Sequence, residues 1–358
     1  MDEQDEVNVL ENLDDEEESG GTLQKYEITS YGADYPVDSI VARLRDHSII
    51  IPKFQRGYVW PITKASRFIE SLLLGLPVPG IFLYKEDSSN KLVVVDGNQR
   101  LRTLEYFYSG LFEPTKREFA LTGIDSEFKG LTYKSLQIED KRSLDDSILH
   151  ATIVKQDKPS NDLSSVFHIF ERLNTGGMPL QAQEIRSAMY GGGLKDLINN
   201  LNLNESWRTL YGKVSGRMRD EELILRFFAL YYYGDKYEKP MVRFLNSYMA
   251  DNRNFSKQSK EQLTKIFTET VKVINTHLGK KAFMQRGVII AAIYDAVMVG
   301  IANRLAKGNI TNFKMLKECH SDLLNEIEFK SATETHTSDK DKVKNRIQKS
   351  IMVFSDVK

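Results

Sequence analysis

Apolar residues in the first half of the chain switch between helical and extended spacing. Ile40 and Leu44 predict a helix, and "SIIIP" then becomes extended. A second helix opens at Pro61, and Gly75 and Pro77 end it. Its apolar face is formed by Ile62, Ala65, Phe68, Ile69, Leu72 and Leu73. "GIFLYKED" and "KLVVVDG" predict two strands joined by the turn-prone "SSN", a helix follows from Gln99, and "HATIVKQD" predicts another strand.

Helical spacing dominates the second half. "LSSVFHIFERLNTGG" carries apolar residues at helical intervals. The later helical segments are "AQEIRSAMY", "LKDLINNLN", "DEELILRFFALYYYG", "PMVRFLNSYMADN", "SKEQLTKIFTETVKVINTHL" and "GVIIAAIYDAVMVGIANRLAKG". The pattern predicts an α+β domain over 26–190 and an all-helical domain over 191–358, with the boundary near Gly191–Gly193.

Composition narrows the class of protein. The chain has 358 residues, of which 41% are hydrophobic, enough to bury a core. No apolar run reaches membrane-spanning length, and "MDEQDEVNV" lacks the features of a signal peptide, so we expect a cytoplasmic protein without a membrane partner. The single cysteine, Cys319, excludes an intrachain disulfide framework and a multi-cysteine zinc site.

The formal net charge of -1 hides an acidic block at the N-terminus. Residues 2–18 contain many Asp and Glu residues and neither Lys nor Arg, so the remainder is net basic. We expect residues 1–25 to be a disordered, self-repelling tail. An alternative is that the tail covers a basic site in place of a polyanion.

The stretch "VVVDGNQRLRTLEYFYSG" joins a strand to a helix through a small polar loop. A helix start presents unpaired N–H groups and partial positive charge, so Gly97 and the amides after it can cradle a phosphate. Arg100 can then bind phosphate oxygens, Asp96 can hold a magnesium ion or position a water, and Gln99 can orient a nucleophile or a phosphate oxygen. The alternative is structural: Asp96 caps the helix and Arg100 pairs with it.

A second candidate is "IPKFQRGYVW", where Gln55 and Arg56 lie among aromatic residues. One ring can stack on a nucleobase while Arg56 supplies charge. Alternatively, the aromatic residues belong to the core and Arg56 forms a buried ion pair, for example with Asp96.

A third candidate is "FERLNTGGMPLQAQEIR", in which Asn174 precedes a glycine pair. Asn174 can be a simple helix C-cap. Its amide can equally complete a nucleotide pocket, with Gly176 and Gly177 leaving room for ribose or phosphate.

Other familiar sites are missing from the sequence. The six histidines form no HExxH pair, and neither a GxxxxGK[ST] phosphate loop nor a Rossmann glycine fingerprint occurs. Any nucleotide hydrolysis would proceed without a Walker site.

Together, "IPKFQRGYVW", "VVVDGNQRLRTL" and "FERLNTGGMPLQAQEIR" resemble, in order and spacing, the N-terminal domain of GmrSD-type restriction endonucleases, a ParB/sulfiredoxin-like family. The resemblance covers roughly residues 35–190. The family's usual "DGQQR" is "DGNQR" here, so Asn98 replaces a glutamine.

The resemblance implies a ParB/sulfiredoxin-like fold that binds and hydrolyses NTP in a system that restricts modified or phage DNA. Carried over, the catalytic residues are Asp96, Gln99 and Arg100, with Mg²⁺ expected at Asp96 alongside the NTP. The nucleotide-binding residues are Gln55, Arg56, Gly97, Asn98, Asn174 and Gly176. Expected partners are NTP, DNA and a separate nuclease subunit.

Longer relatives add an HNH nuclease domain, but no "DHIxP"-like element with a downstream paired histidine occurs in 190–358. The basic stripe "KDKVKNRIQKS" suits nucleic acid or an acidic partner, or is a solvated helix face.

Two alternative functions remain open. One is a metal-dependent DNA nuclease, for which Glu70, Glu105, Glu171 and Glu184 are the nearby acidic candidates. The other is a non-catalytic module that binds DNA or a partner.

Overall fold

The computed structural model describes residues 9–10, 27–52, 57–86, 90–158, 169, 181–285 and 287–358. The chain forms two compact units. The sheet unit is Tyr26–Leu180, and the helical unit combines Met1–Lys25 with Gln181–Lys358. In the described parts of the chain, none of the helices has both the length and the apolar character that crossing a membrane requires.

The sheet unit is built on a five-stranded mixed sheet. Its strands are β2 (Glu27–Pro36), β3 (Ile49–Ile50), β4 (Ile81–Lys85), β5 (Leu92–Asp96) and β8 (Ile148–Lys158), in the order β2-β8-β4-β5-β3. β4 pairs antiparallel with β5 and parallel with β8, and β3 pairs parallel with β5. The predicted pair "GIFLYKED" and "KLVVVDG" is therefore confirmed as β4 and β5. A small hairpin of β6 (Leu111–Phe112) and β7 (Arg117–Glu118) accompanies the sheet.

Helices of the sheet unit share one core with alternate strand residues. They are α1 (Val37–Arg45), α2 (Ile62–Leu73), α3 (Asn98–Ser109) and α4 (Ile138–Asp146). Phe68, Ile69 and Leu72 of α2 join Leu83 and Val94 of the strands in this buried cluster. The apolar spacing that predicted α2 thus faces the core, where each large aliphatic side chain contributes about 1.5–3 kcal/mol on burial.

The helical unit contains the remaining described helices. They are α5 (Ala182–Met189), α6 (Gly193–Leu201), α7 (Glu205–Tyr211), α8 (Arg219–Tyr233), α9 (Met241–Asn252), α10 (Lys260–His277), α11 (Ala291–Leu305), α12 (Phe313–Asn325), α13 (Ile327–Glu334) and α14 (Lys340–Ser355). The α+β prediction, with helices in the C-terminal part, is confirmed.

The helical unit begins at Gln181, earlier than the Gly191–Gly193 boundary expected from sequence. Polar contacts of α5 explain the difference. Glu184 accepts hydrogen bonds from Nε and Nη2 of Arg217, both at 3.0 Å, and Arg186 Nε donates to Asn246 Oδ1 at 2.8 Å. Both partners, Arg217 and Asn246, lie in the helical unit, so α5 packs with it.

Two residues of the N-terminal acidic segment are ordered, although residues 1–25 were expected to be a disordered tail. Val9–Leu10 forms a short strand, β1, parallel to β10 (Val288–Ile290), which also pairs with β9 (Met284–Gln285). The remaining residues of 1–25 lie outside the described residues.

The basic stripe on α14 is largely used inside the helical unit. Lys340 pairs with Glu238, Lys342 Nζ donates to Ser331 Oγ at 2.7 Å, and Lys349 contacts Glu326 Oε1 at 2.8 Å. These contacts, made by partly or fully exposed lysines, favour the interpretation of a solvated helix face.

A buried charge cluster joins α8, α11 and α14. Every residue from Ala291 to Ala302 of α11 is buried, including Asp295. Arg226 Nη2 donates to Asp295 Oδ2 at 2.7 Å, and Arg346 Nη2 donates to the same oxygen at 3.0 Å. Burial lowers the pKa of Arg346. One carboxylate therefore balances two guanidinium groups inside the helical unit.

Replacing Asp295 with Asn should destabilise the helical unit by about 3–5 kcal/mol, because it removes the buried carboxylate that Arg226 and Arg346 share. A Trp60→Phe background leaves Trp207, buried in the helical unit, as the sole tryptophan for fluorescence-detected urea unfolding. The control is Glu318→Gln, which breaks the exposed 3.8 Å pair with Lys314 and should cost less than about 1 kcal/mol. Equal shifts in the two variants would contradict the role assigned to Asp295.

Candidate functional site

Gly97 forms the seam between β5 and α3. Its φ of 104° lies in the left-handed region, which L side chains rarely adopt. A Cβ at this position would lie 2.4 Å from Ile81 Cγ2, closer than any real contact allows. Glycine is therefore required twice, by backbone conformation and by the packing of β4.

The start of α3 has no side-chain cap. Gly97 is the N-cap residue, and the first turn contains no acidic residue. Asp96 does not cap the helix, so this part of the structural alternative is wrong. The N–H groups of the first turn, at the positive end of the helix dipole, therefore receive no hydrogen-bond acceptor from the side chain of a capping residue.

Arg100 is held between the strands. Its Nη2 donates to Asp96 Oδ2 at 2.8 Å and to the carbonyl oxygen of Gly80 at 2.9 Å. The Arg100 side chain is 15% exposed and that of Asp96 is 43% exposed. The ion pair considered as an alternative role for Arg100 is thus present. It fixes the guanidinium at the end of the sheet and leaves Asp96 accessible to solvent.

Gln99 connects the first candidate motif to the second. Its Oε1 accepts from the backbone N–H groups of Val59 at 2.9 Å and Trp60 at 3.3 Å, and its Nε2 donates to the Gly57 carbonyl at 3.2 Å. The sequence suggested that Gln99 orients a nucleophile or a phosphate. In the structure its amide holds the "GYVW" backbone, so it positions this segment against α3.

Tyr58 belongs to the core side of the same junction. Its hydroxyl lies 2.7 Å from Thr103 Oγ1, and its ring meets those of Tyr106 and Phe112 edge to face. Burial raises the pKa of Tyr58 to about 12, so the hydroxyl stays protonated at neutral pH. This ring packs in the protein, as the core interpretation of the aromatic residues expected. Gln55 and Arg56 lie outside the described residues.

Asn98 and Arg102 form a pair one helical turn apart. Asn98 is only 8% exposed, and its Oδ1 accepts from Arg102 Nε at 2.8 Å. Sequence reasoning missed Arg102. The i,i+4 spacing in "NQRLR" was the available signal, because it places both side chains on one face of a helix.

The third motif is described only in its second half. Asn174 and Gly176 lie outside the described residues, as do Gly177 and Glu171. Glu184 is buried and bound to Arg217, and burial raises the pKa of its carboxyl. This glutamate serves packing of the helical unit.

Metal binding at Asp96 has limited support from nearby side chains. Within the described ranges, no three His, Cys, Asp or Glu residues form a group that could hold a metal ion. Asp96 is a single exposed carboxylate with one oxygen bound to Arg100. It fits a magnesium ion that takes its other oxygens from phosphates and water.

Gly97→Ala should destabilise the sheet unit more than Gly110→Ala at the other end of α3. Both glycines have positive φ, which costs alanine about 1–2 kcal/mol. Only Gly97 adds a steric conflict with Ile81, whereas a Cβ on Gly110 meets nothing within 4 Å, so Gly97→Ala should cost at least about 1 kcal/mol more. Hydrogen exchange of the α3 amides measures the loss of stability in each variant. Equal losses in Gly97→Ala and Gly110→Ala would show that Ile81 adds no steric cost.

Gln99→Leu should release the backbone at Val59 and Trp60. Losing their acceptor should lower the opening free energy of these amides by about 0.5–1.5 kcal/mol, measured by hydrogen exchange. Glu105→Gln, on the same helix, is the control and should leave both amides unchanged. Protection that survives in Gln99→Leu would show that this side chain does not hold the segment.

Comparison with known proteins identifies the sheet unit. Residues 38–191 match the family model described as "GmrSD restriction endonuclease, N-terminal domain". No curated protein matches the chain. The matched range includes the described part of "IPKFQRGYVW", the whole of "VVVDGNQRLRTL" and α5. Residues 38–191 of this chain therefore form a domain of the GmrSD restriction endonuclease N-terminal family.

Proposed function

We propose that this domain binds nucleoside triphosphate, with its phosphates at the start of α3, and hydrolyses it. The family relationship implies a role in restriction or defence. In that role nucleotide binding and turnover would regulate the cleavage of DNA by a separate nuclease subunit.

The observation that carries this proposal is the uncapped start of α3 directly after Gly97. Helix N-termini favour anions because N–H groups and the helix dipole point at the ligand. Arg100 adds a fixed positive charge beside this point, since Asp96 and Gly80 hold its Nη2.

The residues of the seam divide the work. Amides after Gly97 would bind phosphate oxygens, and Arg100 would stabilise charge on the phosphates. Asp96 keeps an exposed carboxylate that can orient a water. A magnesium ion held there with the triphosphate would neutralise phosphate charge. In this proposal Gln55, Arg56, Asn174 and Gly176 would also bind the nucleotide.

A second candidate function is a nucleotide-binding switch without turnover. It is favoured by Gln99, whose amide is occupied by the backbone of 57–60 and so is not free to orient a nucleophile. For hydrolysis to occur without Gln99, Asp96 would have to activate the water alone while it is paired with Arg100. Binding and turnover must therefore be measured separately.

The test is phosphate release from each of the four NTPs with magnesium, with and without DNA. Asp96→Asn keeps the shape of the side chain and Arg100→Lys keeps the positive charge. Each should lower turnover about 100-fold or more, because Asn cannot accept a proton from water and Lys lacks the planar fork of a guanidinium. Calorimetric binding on the same samples separates loss of turnover from loss of affinity.

Arg142→Gln is the control, an exposed arginine on α4 of the same unit. It should retain full turnover, and circular dichroism should show all variants folded. Binding without turnover in the unmodified protein would establish the switch. Absence of binding for every NTP would overturn the proposal.

A further inference from the structure

We propose that Arg102 is a specificity residue of this site, contacting the β- or γ-phosphate and thereby distinguishing nucleoside triphosphates from monophosphates. The inference rests on the proposed function, because it assigns a contact within the same phosphate site. It gives a role to a residue outside the Asp96–Arg100 seam.

The position of the Arg102 guanidinium follows from the helix. Side chains of α3 lean toward its N-terminus, so a residue at the second turn reaches back over the first. The 2.8 Å bond from Arg102 Nε to Asn98 Oδ1 shows that it does so here. The guanidinium therefore lies beside the first residue of α3, at the end where phosphate would bind.

The charge of Arg102 is not balanced by a carboxylate. Asn98, its hydrogen-bond partner, is neutral, and in the described part of the chain Arg102 has no ion pair and no second hydrogen bond. Arg102 is partly exposed. Its two terminal nitrogens are thus available as a fork for phosphate oxygens.

The local electrostatics make this placement unfavourable without an anion. Cations near a helix N-terminus oppose the dipole, and α3 has no acidic residue in its first turn. Arg100 is offset by Asp96 at 2.8 Å, whereas Arg102 is not offset. A bound polyphosphate would satisfy the helix amides and Arg102 together.

Asn98 has a positioning role in this account. The hydrogen bond to Nε restricts the rotamers of the Arg102 side chain, so less rotamer freedom is lost when phosphate binds. Asn98→Ala should therefore weaken triphosphate binding in the native background but add no further loss when Arg102 has been replaced.

The test measures dissociation constants by calorimetry for an NTP and the matching NMP, each with magnesium. Arg102→Gln should weaken NTP binding about 10-fold or more, the effect of losing a charged hydrogen-bond donor, and should change NMP binding much less. Arg102→Lys keeps the charge without the fork and should show an intermediate loss. Arg142→Gln is the matched control and should bind both as the native protein does.

The outcomes separate the two proposals. If the native protein binds NTP and Arg102→Gln and Arg102→Lys bind it equally well, Arg102 is not a phosphate ligand, while the proposed function stands. Equal losses for NTP and NMP would also overturn the inference, since they indicate a general disturbance of the site. Failure of the native protein to bind any NTP would overturn the proposed function and the role of Arg102 with it.

Discussion

The contact of Gly97 with Ile81 is the constraint on which the candidate site depends. A strand that ends at Asp96 can lead into α3 only if the chain turns sharply, and the left-handed residue at 97 provides that turn. With no side chain at 97, β4 lies directly against the turn. This proximity brings the Gly80 carbonyl within 2.9 Å of Arg100, so one backbone geometry sets both the helix start and its nearest charge.

The polar side chains of the motif make most of their hydrogen bonds within the protein, where they hold the site together. Arg100 links β5 to the start of β4, and Gln99 links α3 to the segment 57–60. These contacts use amide and guanidinium groups because backbone outside regular pairing still has N–H and C=O groups to satisfy. A site built in this way is rigid before ligand arrives, which lowers the entropy cost of binding.

Sequence patterns predicted the elements better than the roles of the polar residues. Apolar periodicity located α2, β4, β5 and α3, because burial of one face is decided by local spacing. Partners of Gln99 could not be predicted, since Gly57 and Val59 lie some 40 residues away along the chain. Likewise, sequence alone does not reveal that Arg217 and Asn246 bind α5, and the domain boundary was therefore set too late.

Arginines in the described part of the chain differ in the group that balances their charge. Where arginines are buried in the helical unit, carboxylates accompany them, as Asp295 does for Arg226 and Arg346. In the sheet unit Asp96 accompanies Arg100. Arg102 is held by a neutral amide and stands at the positive end of a helix dipole. Such a placement lowers the stability of the free protein slightly. A bound anion that contacts both the helix amides and this guanidinium would remove that unfavourable interaction. In the proposed site both arginines would act on the phosphates, but Arg100 also builds the site through Asp96 and Gly80, whereas Arg102 would meet the ligand without a carboxylate partner.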